Sequence, residues 1–194
     1  MTFRTNLSTG GTLRRLGLLA LLAVAGLVIA AGAGAEGDAP GTLEFKTHNQ
    51  MYDAHGKFEG WRFTRVDIPD GDLEQATVEI EIDLISVWEK ADKLAAHLRT
   101  SDFFHVDMFP KATVKVDRVK KTGEGAYEAV ATVDLHGQRA EVPVAFQVTG
   151  GDPYQVDGTA TLSRAAFGIG QPYDAANDKS IVDDVEIHLS ATLQ

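Results

Sequence analysis

The chain has 194 residues, 28 of them acidic and 18 basic, giving a formal net charge of -10, and it holds no cysteine. That charge argues against a nucleic-acid partner, which would need a basic face. The missing thiols exclude disulfides, thiolate metal sites, a cysteine nucleophile and a lipidated N-terminal cysteine, and 44% hydrophobic residues are too many for a disordered chain.

Arg4, Arg14 and Arg15 are the only charges before Glu36. An apolar run from Leu16 to Ile29 follows them, then small residues from Ala30 to Ala35. This order of basic start, apolar core and Ala-x-Ala tail is that of a secretory signal, with Ala31-Gly32-Ala33 and Ala33-Gly34-Ala35 as candidate cleavage sites. The run from Leu16 to Ala35 is just long enough to span a bilayer, but its last third is Ala and Gly, so cleavage is preferred over an uncleaved anchor. Arg14-Arg15 faintly resembles a twin-arginine signal, with the general route ahead of it. The expectation is a signal over 1–35, a flexible lead-in over 36–41 and one domain over 42–194, working in the periplasm or secreted, without stable membrane insertion.

Strands dominate after residue 42. Leu43 and Phe45 suggest the first, near 42–48, and Phe58 through Ile68 a longer second. Ala76, Val78, Ile80, Ile82 and Leu84 alternate with Thr77, Glu79, Glu81 and Asp83, which gives one apolar face and one solvated acidic face. From Glu89 to Leu98 good helix formers place Ala91, Leu94, Ala95 and Leu98 at helical spacing, so a short helix is expected, with a further turn through Phe103 and Phe104. Pro110 closes this insertion, near 89–105, and leads into a strand through Ala112, Val114 and Val116. Further strands run through Tyr127 to Leu135, Val142 to Val148, Val156 to Leu162 and Ile181 to Leu189. Turns fall at Thr122-Gly123-Glu124-Gly125, His136-Gly137 and Gly150-Gly151-Asp152-Pro153, and a polar surface loop spans Gln171 to Ser180. Eight strands in up-and-down order predict an all-β, eight-stranded antiparallel barrel with a short helical insertion, because closure removes exposed edges. Such a barrel is either filled by side chains or holds one small ligand.

The stretch His97-Leu98-Arg99-Thr100-Ser101-Asp102-Phe103-Phe104, then Met108-Phe109-Pro110-Lys111-Ala112-Thr113, resembles the YceI-like family. Val133-Asp134-Leu135-His136-Gly137, then Ser163-Arg164-Ala165-Ala166-Phe167-Gly168-Ile169-Gly170, and the closing Val182 to Leu189 resemble further family elements in order. The resemblance implies an exported, lipocalin-like barrel that binds polyisoprenoid or similar lipids. It departs where Leu94-Ala95 replaces an Arg-Asp pair, and around His55-Gly56, where the spacing differs.

With that resemblance, Phe45, Phe58, Phe63, Trp88, Leu98, Phe103, Phe104, Phe109, Phe146 and Phe167 are candidate walls for an isoprenoid lipid or quinone; Trp61 shares their ambiguity between cavity wall and core. His97, Arg99 and Arg164 are candidate head-group contacts, each with a structural hydrogen bond or salt bridge as the blander role. The six histidines form no ligand pattern, no Gly-x-Ser-x-Gly elbow occurs, and Gly168 and Gly170 make no dinucleotide fingerprint. No metal, cofactor or catalytic residue is expected, and a binding protein is preferred over a lipid enzyme or a solidly packed interaction module.

Overall fold

A computed structural model describes residues 39–193, within the compact unit Gly37–Gln194; the export-signal reading of residues 1–35 lies outside the described residues. The strands are β1 (Gly41–His48), β2 (Asp53–Phe58), β3 (Trp61–Asp67), β4 (Thr77–Asp83) and β5 (Val87–Glu89), then β6 (Lys111–Lys121), β7 (Ala126–Leu135), β8 (Gln138–Gly150), β9 (Tyr154–Ser163) and β10 (Asp184–Leu193). Helix α1 (Asp92–Leu98) lies between β5 and β6. All ladders are antiparallel, in one sheet of order β3-β4-β6-β7-β8-β9-β10-β1-β2-β5. The molecule is mostly β: a ten-stranded, strongly curled half-barrel with one short helix among the described residues.

The count of eight strands is corrected to ten by two bends. The expected strand from Phe58 to Ile68 breaks at Glu59-Gly60, after which β3 pairs with β4, whereas β2 pairs with β1 and β5. The strand that starts at Thr77 bends at a 3-10 turn, Leu84–Ser86, where the Asp83 carboxylate accepts from the Ile85 N–H; β5 follows. Each end of the sheet order therefore continues a strand near the other end, which requires the sheet to curl back on itself. Two backbone hydrogen bonds join the bends, Glu59 N–H to Ser86 O at 3.3 Å and Asp83 N–H to Gly60 O at 2.8 Å, and the Ser86 hydroxyl adds a third to Gly60 O at 3.4 Å. A Cβ on Gly60 would lie 3.1 Å from the Ser86 side chain, so the crossing is close.

The helix begins at Asp92 rather than Glu89, which belongs to β5, and 101–104 form the expected further turn. The last strand starts at Asp184, because the carbonyls of Ile181 and Val182 are turned to a side chain, Arg164, instead of a ladder. The β7–β8 hairpin turns on His136 and Gly137, both at positive φ (53° and 74°), as two-residue type I′ loops require.

Alternation sets the two faces. Ile80 and Ile82 of β4 and Ala129, Ala131, Val133 and Leu135 of β7 are buried inward. Outside, Glu81 of β4 receives Arg62 of β3 at 2.8 Å and Lys111 of β6 at 2.7 Å, so one carboxylate ties three strands. Hydrogen bonding to the Lys111 ammonium, aided by Arg62, holds Glu81 below its ordinary 4.5, and Lys115 with Arg118 does the same for Asp117. A carboxylate depressed on folding stabilises fully above its ordinary pKa, and that contribution is lost as pH falls through the folded value. Thermal stability should thus fall in acid below about pH 4.5. In Glu81→Gln the acid limb should be shallower than in the wild type in paired melting curves, and an unchanged limb would refute the assignment. These pairs are partly solvated, so the effect is a fraction of about 1 kcal/mol.

Candidate functional site

The curled sheet encloses a cavity of about 370 Å³, bounded by residues of nearly every strand and of α1. Space exists there because inward positions on β6, β7 and β9 carry Ala112, Ala131, Gly158 and Ala160, where larger side chains would fill it. One water needs only ~10–15 Å³ but also polar partners, which these walls withhold. At one end the lining is apolar, with Ile68, Leu73 and Val119. Polar side chains gather at the other end, where β1 and β9 finish: His48, Asn49, Tyr52, Glu89 and Arg164.

Most of the aromatic candidates come together on these walls. Phe45, Phe58, Phe63, Phe103, Phe104, Phe146 and Phe167 line the cavity, as does Leu98. Phe45 and Phe58 stack tilted at 5.7 Å, and Phe58 meets Phe104 edge-on at 5.6 Å. Phe167 is 1% exposed, so its ring serves as core as much as wall.

Other candidates lie elsewhere. Trp88 faces outward on β5, 43% exposed, with the Lys57 ammonium 5.0 Å from its ring. Phe109 packs on His136 (4.8 Å) and covers Gly137, outside the cavity; His136 keeps the turn, its Nδ1 3.0 Å from Phe167 O. Trp61 is buried core, edge-on to Phe63. His97 is exposed and meets Phe103 edge-on at 5.0 Å. Arg99 donates to Ile85 O at 2.8 Å and Val87 O at 2.6 Å, on the side of β5 away from β2.

Arg164 does reach the cavity wall, but it is 6% exposed and committed to the backbone. Nε donates to Val182 O (2.9 Å), Nη1 to Ile169 O (2.9 Å) and Gln171 O (2.6 Å), and Nη2 to Ile181 O (2.5 Å). Both arginines thus take the structural role toward the backbone, Arg164 with four of its five N–H donors and Arg99 with two. Beside Arg164, the Ser163 hydroxyl donates to Asp183 at 2.5 Å, and the Ala165 N–H donates to the same carboxylate. These bonds, the Ser163 one foremost, lower the Asp183 pKa from its ordinary 3.8.

Of the polar end only Arg164 is a candidate from sequence; His48, Asn49, Tyr52 and Glu89 are not, and the last two touch each other. Glu89, placed in the helix by propensity, is the inward residue after Val87 on β5 and is 2% exposed. Its Oε1 accepts from the Tyr52 hydroxyl at 2.6 Å and its Oε2 from the Ala91 N–H at 2.5 Å. The bond to Glu89, then burial and the negative charge, raise the Tyr52 pKa, so the hydroxyl keeps its proton. Parity could have found Glu89: if Val87 points in, so does the residue two along.

Comparisons with known proteins place this geometry. A family model described as the YceI-like domain matches residues 38–193. The crystal structure of Burkholderia cenocepacia BcnA is 19% identical with a TM-score of 0.70, covering 79% of this chain and 96% of that one. A Campylobacter jejuni YCEI protein is 16% identical with a TM-score of 0.60, covering 76% of this chain and 89% of that one. A polyisoprenoid binding domain from Saccharophagus degradans, implicated in plant cell wall breakdown, is 16% identical with a TM-score of 0.57, covering 78% of this chain and 91% of that one. A comparison with curated proteins finds no match. At these identities the solved structures show a shared fold.

Proposed function

Because the chain belongs to the YceI-like domain family, we propose that it is an exported protein that holds or carries an amphiphilic isoprenoid, a polyprenyl lipid or quinone, inside its curled sheet. The observation that carries this reading is the apolar cavity of about 370 Å³. Each methylene moved from water into such a wall is worth about 0.8 kcal/mol, so a prenyl chain needs few polar contacts to bind. The bent β2–β3 and β4–β5 paths would enclose the tail as a lipocalin-like barrel does, and α1, with Leu94 and Leu98 on the cavity, is the candidate lid. The Saccharophagus degradans domain, described as polyisoprenoid binding, supports the ligand class. The basic-then-apolar N-terminus supports export to the periplasm through a cleaved signal. Catalysis is not part of the proposal: the Ser163 hydroxyl is spent on Asp183 and holds the turn after β9.

Native mass spectrometry of the purified mature domain tests the reading. A lipid-sized adduct is expected, and extraction identifies it. A bare protein mass that also fails to take up prenyl lipid added in detergent would overturn it.

A further inference from the structure

We propose that Glu89 makes the cavity selective for a neutral head group that donates a hydrogen bond, such as an alcohol, phenol or quinol, over a phosphorylated head group. This deepens the carrier reading and rests on it. Period-two geometry drives the inference: Val87 is buried, Trp88 is exposed and Glu89 is buried, so β5 aims a carboxylate inward. Glu89 is 2% exposed and borders the cavity, yet among the described residues no arginine or lysine pairs with it. Its partners are one phenol and one backbone N–H, and each carboxylate oxygen has further lone pairs. The carboxylate is acceptor-only, so what it can still bind is a donor. A phosphate brought to the same end would meet a buried negative charge. The cation at that end, Arg164, has four of its five N–H donors on carbonyls of its own chain and its charge already faces the Asp183 carboxylate, so it has little left for a phosphate. Tyr52 adds one adaptable group, since its hydroxyl can stay on Glu89 or swing to a ligand oxygen.

The test uses the mature domain and three probes with one tail: geranylgeraniol, its methyl ether and its monophosphate, followed by isothermal titration in detergent. The alcohol should bind about tenfold or more tightly than the phosphate and more tightly than the ether, in line with a hydrogen bond to a charged acceptor. In Glu89→Gln the alcohol-to-phosphate ratio should fall to about threefold or less. Tyr52→Phe, which frees Oε1, should widen the alcohol-to-ether ratio. Equal binding of all three probes to the wild type, or a ratio unchanged in Glu89→Gln, overturns the inference and leaves the carrier reading standing. Binding of none of the probes overturns the carrier reading, and this inference with it. Should Glu89→Gln fail to fold by circular dichroism, the wild-type order of the probes decides: phosphate first overturns the proposal, alcohol first supports it.

Discussion

Replacing Arg164 with alanine is expected to destabilise the domain by about 3–5 kcal/mol, since each acceptor left unpaired costs about 1–3 kcal/mol and relaxation recovers part of the sum. The size follows from what the guanidinium leaves behind. Four carbonyls, of Ile169, Gln171, Ile181 and Val182, lose their charged donor together; the bond to Ile169 is buried and the other three are part-buried, so water replaces the guanidinium only in part. Those carbonyls flank the long loop between β9 and β10, so the substitution also loosens the polar end of the cavity. In a domain of this length the loss corresponds to roughly a 10 °C drop in midpoint temperature. Lysine should recover little, because one ammonium on a flexible stem cannot reach carbonyls arranged around a planar fork. Urea unfolding of Arg164→Ala, Arg164→Lys and wild type measures this, and a loss below about 1 kcal/mol would mean the carbonyls find other donors.

Ala160→Phe should abolish most lipid binding while the fold remains as stable as the wild type or more so. Ala160 lies on the inner face of β9, between Val144 of β8 and Ile187 of β10, and borders the cavity. A ring there enters existing space, so the usual penalty for overpacking is small. If it displaces the equivalent of three methylenes of ligand, about 2.4 kcal/mol is lost at about 0.8 kcal/mol each, close to fiftyfold in affinity. Titration with geranylgeraniol and a melting curve measure both halves. Trp88→Ala is the contrast, since its ring stands outside the sheet, and it should leave the affinity where it was. Undiminished affinity in Ala160→Phe would place the ligand elsewhere.

Much of the sheet could be read from alternation alone, and the reason is visible in β4, β6 and β7. Each is long, faces a cavity on one side and solvent on the other, and so writes its period into the sequence. The bends could not be read that way. Phe58 and Trp61 both turn inward though three residues apart, so the alternation slips by one at the bend, a slip masked by the run of aromatic residues on either side. β5 is three residues, too short for any period to register, and Glu89 looked like a helix former because its burial depends on Tyr52 and Ala91. At the site, residue type gave the aromatic walls but not the side of the sheet. Trp88 and Glu89 are neighbours whose hydropathies suggest the reverse of where they point. The arginines followed the same logic: their charge suggested an anion, and their partners turned out to be backbone carbonyls.

Arg99 has a consequence beyond its own hydrogen bonds. β5 ends the sheet order, and a strand end with free backbone groups is a template on which another chain can add itself. By occupying the carbonyls of Ile85 and Val87, Arg99 takes from that edge the acceptors an incoming strand would need. The opposite edge, β3, is interrupted by a register shift between Phe63 and Arg65 and carries two arginines, which spoils a flat match. Neither margin therefore offers a long, regular ladder on which a further strand could add.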